Sequence, residues 1–151
     1  VYLTDPIPDM ILNSDFFAVR NSLLLIDNPV LYPAWFLHAK MGNKTIREIR
    51  NVAFAYWLKN EHVIEYLLPN LIITLVVKSN PEVEKAIPYM NSDYSEYLVK
   101  VLADDYSEEK WNWIKKLTGI HKLTYKLDAD IKHGHNFYDY LITSSDEKNT
   151  K

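Results

Sequence analysis

The longest apolar stretch of the sequence runs from Leu67 to Val77 and sets the first limit on the fold. It spans eleven residues and is interrupted by Pro69, Asn70 and Thr74. A helix that crosses a bilayer needs about 20 apolar residues, so this stretch is too short to span one. We therefore expect a helix from about Glu61 to Lys78 that is buried in the core of a globular domain.

Several other segments carry helix signals. Behind Gly42-Asn43, apolar residues recur at steps of three and four, which predicts an amphipathic helix. Asn80 followed by Pro81 is typical of a helix start, with Asn as the N-cap and Pro at the first helical position. Further helices are predicted over Ser92–Ala103, Ser107–Leu117 and Asn136–Ile142.

Strand signals are fewer and shorter. Asp15–Asn21 is aromatic and β-branched and predicts a buried strand, and Trp35–Lys40 predicts another. The first residues, Val1–Pro6, read as a strand that runs into a turn, so we expect residues to be missing upstream. The sequence thus predicts a helix-rich α/β fold with one domain over residues 1–143. The polar residues 144–151 are expected to form a disordered tail.

Composition excludes several classes of protein. The chain has no cysteine, which excludes disulfides, thiolate metal sites and a cysteine nucleophile. Its net charge of −3 gives no electrostatic reason to expect a nucleic acid as partner. The sequence also contains no P-loop, no G-x-S-x-G and no H-E-x-x-H motif. The remaining candidates for chemistry are histidines, lysines and carboxylates.

Four of the five histidines have an ordinary structural explanation. His38 lies in a predicted strand, where a half-buried, hydrogen-bonded imidazole is expected. His62 precedes Glu65 by three residues on the predicted helix, so the pair could share a face and bind a metal, although an exposed helix pair is commoner. His133 and His135 could chelate a metal across a glycine, but such a loop is usually solvated.

His121 differs from the other histidines because of its neighbours. Residues 119–126 carry an imidazole, two amines, a hydroxyl and a phenol directly after a predicted helix end. In an extended stretch the imidazole of His121 would face one side, and the amines of Lys122 and Lys126 the other. A loop with a neutral imidazole beside ammonium groups suits a metal-bound diphosphate. The alternative is an exposed basic strand with a structural histidine.

Three segments carry a resemblance to a known family. Leu3–Pro8, Phe16–Asn21 and Ile120–Lys126 resemble the bacterial capsular polysaccharide synthesis protein family, which is related to glycosyltransferases with a DXD motif. The resemblance runs from Val1 to about Leu141. The block at His121–Lys126, His-Lys-Leu-Thr-Tyr-Lys, is its most specific part.

The resemblance implies a GT-A-like, Rossmann-like glycosyltransferase fold. It further implies a nucleotide-sugar donor and a Mn²⁺ or Mg²⁺ ion held by the aspartates of the DXD motif. In the family that motif directly precedes a segment similar to Val1–Pro6, and it is not in this sequence. We therefore expect this chain to be the C-terminal part of the fold and to be inactive alone.

The resemblance also assigns roles to individual residues. His121 is the expected metal ligand, and Lys122, Lys126 and Tyr125 are the expected contacts of the donor diphosphate. A cation is needed there because the nucleoside diphosphate leaves with negative charge. Glu65 is a candidate catalytic or acceptor-binding carboxylate, and its alternative is a solvated helix acid.

The function implied by the resemblance is a nucleotide-sugar-dependent glycosyltransferase of capsular or surface polysaccharide biosynthesis. Its acceptor would be a glycan or a lipid-linked saccharide. We expect it in the cytoplasm, at the inner face of the membrane or free of it, with no transmembrane segment in this chain. Two alternatives stay open: a non-catalytic domain that binds carbohydrate or a partner, and a structural helical adaptor.

Overall fold

The computed structural model describes residues 1–21, 28–124, 126, 131 and 134–149. Within these residues the strands are β1 (Tyr2–Leu3), β2 (Phe16–Ala18), β3 (Leu37–Ala39) and β4 (Ile120–His121). The helices are α1 (Asp9–Leu12), α2 (Lys44–Trp57), α3 (Leu68–Lys78), α4 (Pro81–Ala86), α5 (Ser92–Lys100), α6 (Glu108–Leu117) and α7 (Phe137–Asn149). None of these helices is long and apolar enough to cross a membrane.

The chain divides into two compact units. The central unit is Ile7–Asp93, and the terminal unit combines Val1–Pro6 with Tyr94–Lys151. Each unit contains one small antiparallel sheet, β2 with β3 in the central unit and β1 with β4 in the terminal unit. The helix-rich α/β class predicted from the sequence is therefore confirmed. The GT-A-like arrangement stays a prediction.

The central unit packs α3 against the two-stranded sheet of β2 and β3. In this sheet Phe17 lies opposite His38, and all three residues of β2 are buried. The core of this unit joins β2 to the inner face of α3 and includes Phe16, Ala18, Tyr32, Ile73 and Val77. The buried strand and the buried core helix predicted from the two apolar runs are thus confirmed.

The helix α3 begins later than the sequence predicts. It starts at Leu68, with Pro69 in its first turn, whereas the prediction began at Glu61. Proline suits the first helical turn, whereas inside a helix it lacks the N–H that would bond to the carbonyl four residues earlier, and its ring clashes with that carbonyl. The segment 61–67 is consequently a non-helical connection from α2, and the prediction of helix over it is wrong.

Three helices begin at the predicted caps. The side chain of Asn43 accepts a hydrogen bond from the Ile46 N–H at 3.0 Å at the start of α2. Asn80 accepts one from the Val83 N–H at 3.3 Å at the start of α4. At the start of α6, Ser107 accepts one from the Lys110 N–H at 3.2 Å. Each cap satisfies an N–H that the helix itself cannot pair.

In the terminal unit, a strand at the start of the chain pairs with a strand that lies more than 110 residues later. Strand β1 runs antiparallel to β4, with Tyr2 opposite His121 and Leu3 opposite Ile120. Its core is formed by side chains from α5, α6 and α7 and the turn after α5, namely Leu98, Val101, Leu102, Trp111, Ile114, Phe137 and Leu141. The helix α7 extends to Asn149, beyond the Asn136–Ile142 predicted from sequence.

Candidate functional site

His121 is fully buried, with none of its surface exposed to solvent. It ends β4 directly after α6 and pairs with Tyr2 of β1. The centre of its ring lies 6.3 Å from that of the Trp111 indole, which belongs to the buried core. The expectation that His121 lies in a loop is therefore wrong, and so is the exposure expected in the alternative, because strand pairing draws the residue into the core of the terminal unit.

The two ring nitrogens of His121 have different environments. Nε2 lies 3.1 Å from Oγ1 of Thr4, a hydrogen bond that links residues 117 positions apart. Nδ1 is also buried, and no hydrogen-bond partner for it exists among the described residues. A neutral imidazole has one donor and one acceptor nitrogen, so Nδ1 keeps an unused bonding capacity.

Burial lowers the pKa of His121 below its usual value, because a charged imidazolium loses its hydration in the core. The negative charge of Asp5 acts in the opposite direction but is the smaller effect. The ring is accordingly neutral at pH 7. The neutral form is the one that can coordinate a metal ion.

Asp5 and Gly119 approach each other beside this ring. A Cβ atom added to Gly119 would lie 2.7 Å from Cβ of Asp5, closer than two carbon atoms can sit. The Gly119 carbonyl also accepts a hydrogen bond from the Thr4 N–H at 3.0 Å. Only a glycine lets the turn after α6 lie this close to the end of β1. Sequence reasoning did not single out Thr4 or Asp5 as site residues, although both belong to the segment that resembles the family.

Lys122 is bound to α5 through both its backbone and its side chain. Its N–H donates to the Ser95 carbonyl at 2.9 Å. Its ammonium Nζ lies 3.2 Å from Oε1 of Glu96, and both side chains are about one-third exposed. Ser95 is fully buried, and its hydroxyl has no partner among the described residues. Neither Ser95 nor Glu96 was predicted, since nothing in the local sequence connects α5 with β4.

The other predicted diphosphate contacts lie further along the chain. Lys126 is exposed, and its N–H donates to Oγ1 of Thr124 at 3.1 Å. Tyr125 lies outside the described residues. The structure therefore places His121 against Thr4 and Lys122 against Glu96, and the two pairs are joined only by the adjacency of His121 and Lys122 in the chain.

Glu65 belongs to the central unit, in the connection between α2 and α3. Its side chain is exposed, and Oε1 accepts a hydrogen bond from the Leu67 N–H at 3.2 Å. Because this segment is not helical, His62 and Glu65 do not share a helix face. The helix pair predicted from their spacing is wrong.

The remaining histidines do not form a metal site within the described residues. His38 is half-buried in β3, as predicted, but the predicted hydrogen bond is missing at its buried Nε2, which has no partner among the described residues. His135 is exposed, and His133 lies outside the described residues. Where the structure describes the chain, no three His, Asp or Glu side chains converge as metal ligands. His121 can therefore offer one nitrogen to an ion, but the described residues do not supply the other ligands of a metal site.

Comparisons with known proteins give one positive result. Comparison with curated proteins finds no match, and comparison with solved structures finds none either. The sequence model of the capsular polysaccharide synthesis protein family matches residues 1–141, which include β1, β4 and the block at His121–Lys126. Because this match covers more than nine-tenths of the 151 residues, the chain belongs to the capsular polysaccharide synthesis protein family.

Proposed function

We propose that this protein is part of a nucleotide-sugar-dependent glycosyltransferase that acts in capsular or surface polysaccharide synthesis. Membership of the family suggests the role in capsule biosynthesis. One observation supports the transferase activity: a neutral, buried imidazole with an unused nitrogen, next in sequence to a lysine ammonium. An imidazole that can coordinate a cation and an ammonium group that can pair with phosphate suit a metal-bound diphosphate.

In this proposal His121 is a ligand of the divalent cation. A buried polar atom without a partner needs an explanation, and an ion bound at Nδ1 would provide one. The described residues do not form a complete metal site, so the other ligands would be the DXD aspartates that the family resemblance implies. When bound, Mn²⁺ or Mg²⁺ would stabilise the charge that develops on the leaving diphosphate.

Lys122, Lys126 and Tyr125 are proposed to hold the donor diphosphate. Lys122 already neutralises the carboxylate of Glu96, so it would exchange this ion pair for a phosphate oxygen. The phosphate offers more charge at the same ammonium group. The rigid backbone contact of Lys122 with Ser95 would keep the lysine in place during that exchange.

The transfer itself replaces one carbon–oxygen bond of the sugar by another. An acceptor hydroxyl of a glycan or lipid-linked saccharide attacks the anomeric carbon, and the bond from that carbon to the diphosphate oxygen breaks. The diphosphate leaves with the electron pair, and the acceptor proton passes to a carboxylate. We propose Glu65 for that last role or for binding the acceptor, because its side chain is exposed. The reaction would take place in the cytoplasm, where nucleotide sugars are found.

The test measures donor cleavage by the complete gene product. A panel of uridine and guanosine diphosphate sugars is incubated with Mn²⁺ or with EDTA, and the nucleoside diphosphate released is quantified. We expect metal-dependent release from one donor. His121→Gln should lower its rate by roughly 10²- to 10³-fold, the usual effect of losing one group that stabilises the transition state. His38→Gln, a half-buried strand histidine of the central unit, is the matched control.

Each variant is compared at a temperature well below its own melting transition, because His121 is buried and its loss also weakens the fold. Release from no donor, together with retention on immobilised glycans, would favour the non-catalytic carbohydrate-binding alternative. Equal rates for His121→Gln and the parent would remove His121 from the site.

A further inference from the structure

One side of α2 presents apolar and basic side chains to solvent. Leu58, directly after the helix, is 86% exposed, Phe54 61% and Trp57 49%. With Ile46, Arg47 and Arg50, these residues recur at steps of three and four and so lie along one side of the helix. We call this set the α2 face. The residues turned towards the protein are different ones, chiefly Thr45, Ile49, Val52 and Tyr56.

The connection after α2 continues the exposed apolar surface. Val63 is 54% exposed, Ile64 76% and Tyr66 74%. The segment is fixed to the end of α2 by the Tyr56 hydroxyl, which donates to the His62 carbonyl at 2.6 Å and accepts from the Ile64 N–H at 3.1 Å. These apolar side chains are therefore held in position in solvent.

An apolar cavity lies between this connection and the helices. Its volume is about 720 Å³, and its walls include Trp57, Val63, Tyr66, Ile72 and Ile73. A contiguous apolar surface of this kind is uncommon on a protein that has no partner for it. The cavity and the α2 face share Trp57, so they form one continuous surface.

The α2 face carries basic charge although the chain as a whole is acidic, and the connection after α2 adds one exposed carboxylate, that of Glu65. Arg47 and Arg50 lie on the α2 face, and Glu48, the one acid of α2, lies on another side of the helix. No carboxylate pairs with either arginine among the described residues. Arg50 instead donates from Nε and Nη2 to Oδ1 of Asn51 at 3.3 and 3.0 Å, and its guanidinium carbon lies 5.9 Å from the centre of the Phe54 ring. The net charge of the whole chain is −3.

We propose that the α2 face and the Val63–Tyr66 segment form a docking surface for an anionic phospholipid bilayer. Helices that lie in a membrane interface combine large apolar and aromatic side chains with Lys and Arg, as this one does. The arginines would meet lipid phosphates while Phe54, Trp57 and Leu58 enter the headgroup boundary. This proposal concerns the central unit alone, and its test needs no transferase activity, although the segment includes Glu65, the exposed carboxylate proposed above for the acceptor.

A second copy of the chain would fit the α2 face less well. A two-fold contact would set the same face of both copies against itself, and the arginines of the two copies, which have no carboxylate partner among the described residues, would then repel each other. A bilayer accepts this mixture because its headgroups carry the opposite charge at the same depth as the guanidinium groups. The charge complementarity therefore favours lipid over a second copy of the chain.

The test is binding of the 151-residue chain to lipid vesicles. Vesicles of phosphatidylcholine alone are compared with vesicles of phosphatidylcholine and phosphatidylglycerol in equal parts, by co-sedimentation at low and at high salt. We expect binding to the anionic vesicles only, weakened by salt. Binding should also shift the tryptophan emission to the blue, and Trp57→Phe should abolish most of that shift.

Two sets of variants separate charge from apolar contact. Arg47→Gln with Arg50→Gln should weaken binding roughly 30-fold, because each basic side chain at an anionic surface contributes about fivefold. Phe54→Ser with Leu58→Ser should weaken it on the order of tenfold or more. The matched control, Lys100→Gln with Lys116→Gln, removes the same charge from exposed positions outside this surface and should stay within about threefold of the parent.

All substituted side chains are exposed, so each variant should keep the melting temperature of the parent, which is measured alongside. The proposal is overturned if the parent binds neither vesicle, or if both surface variants bind as the parent does. It is also overturned if the parent is a dimer in solution that the Phe54→Ser, Leu58→Ser variant converts to a monomer, since a second copy then covers the surface.

Discussion

Nε2 of His121 lies 3.1 Å from Oγ1 of Thr4, which ties the end of β4 to the residue that follows β1. This contact joins two strands of two residues each, which could not pair stably without support from side chains. It also fixes the orientation of the imidazole, so Nδ1 is the nitrogen that remains without a partner. The stability of the terminal unit and the candidate chemistry thus depend on the same ring.

The buried imidazole predicts how the stability of the protein depends on pH. Burial lowers the pKa of His121 in the folded state, so below about pH 6.5 the unfolded chain binds a proton that the folded chain does not. The free energy of unfolding should therefore fall as the pH drops below this value. The loss contributed by this one group cannot exceed about 1.4 kcal/mol per pH unit.

The measurement is urea unfolding between pH 7.5 and 5, in EDTA, for the parent and for His121→Gln. Glutamine does not titrate, so the difference between the two curves isolates His121 from the other histidines. As the pH falls, the free energy of unfolding should decrease more for the parent than for His121→Gln. Parallel curves would mean that the ring is protonated equally in both states.

Because Gly119 and Asp5 lie so close together, we expect even one methyl group added at Gly119 to destabilise the protein. In Gly119→Ala the new carbon would lie 2.7 Å from Cβ of Asp5, and the backbone cannot separate without losing the Thr4 hydrogen bond. We expect a loss of about 1–3 kcal/mol, as for other overpacked sites. Gly134→Ala, whose nearest neighbour is the Asn136 amide at 3.4 Å, should change stability by no more than about 0.5 kcal/mol. Equal unfolding midpoints for the two variants would contradict this account.

The features that the sequence predicts correctly are local ones. The caps Asn43, Asn80 and Ser107 are recognisable because their oxygens bond to N–H groups only three residues away. The buried strand β2 and the core helix α3 follow from apolar runs whose burial requires no knowledge of their partners. Pro69 indicates the correct start of α3, but the prediction followed the apolar run and began the helix too early.

The features that the sequence does not reveal depend on distant partners. His121 looks like a loop residue because the strand that buries it is at the other end of the chain. The same reason conceals the ion pair between Lys122 and Glu96, which belong to separate elements. Local pattern therefore singles out the candidate block but does not give the burial or the partners of its residues.

Phe17 provides a test of the central core. Its side chain is fully buried in β2, and its ring meets that of Phe36 edge-on, with centres 6.0 Å apart. Phe17→Asp would replace this contact by an unpaired buried charge, so we expect a loss of about 3–5 kcal/mol. Met41→Asp introduces the same charge at a fully exposed position and should leave the unfolding midpoint nearly unchanged. A Phe17→Asp protein that unfolds like the parent would show that β2 is not part of the core.

The ion pair between Lys122 and Glu96 predicts opposite effects for its two partners on diphosphate binding. If Lys122 holds the diphosphate, Glu96 competes for its ammonium group and also repels the ligand. Lys122→Gln should then weaken the binding of UDP with Mn²⁺, and Glu96→Gln should strengthen it. Each change should be about two- to fivefold, because both groups are partly exposed and solvent screens their charges.

The measurement is calorimetric titration of the complete gene product with UDP in Mn²⁺, or with GDP if the donor assay selects a guanosine sugar. The matched control is Lys116→Gln, which removes one positive charge from an exposed position on α6. The double variant Lys122→Gln, Glu96→Gln completes the cycle, and in it the gain from Glu96→Gln should shrink because the competed ammonium is gone. If Lys122→Gln and Lys116→Gln bind UDP equally, Lys122 only neutralises Glu96, and Lys126 and Tyr125 are left as the proposed diphosphate contacts.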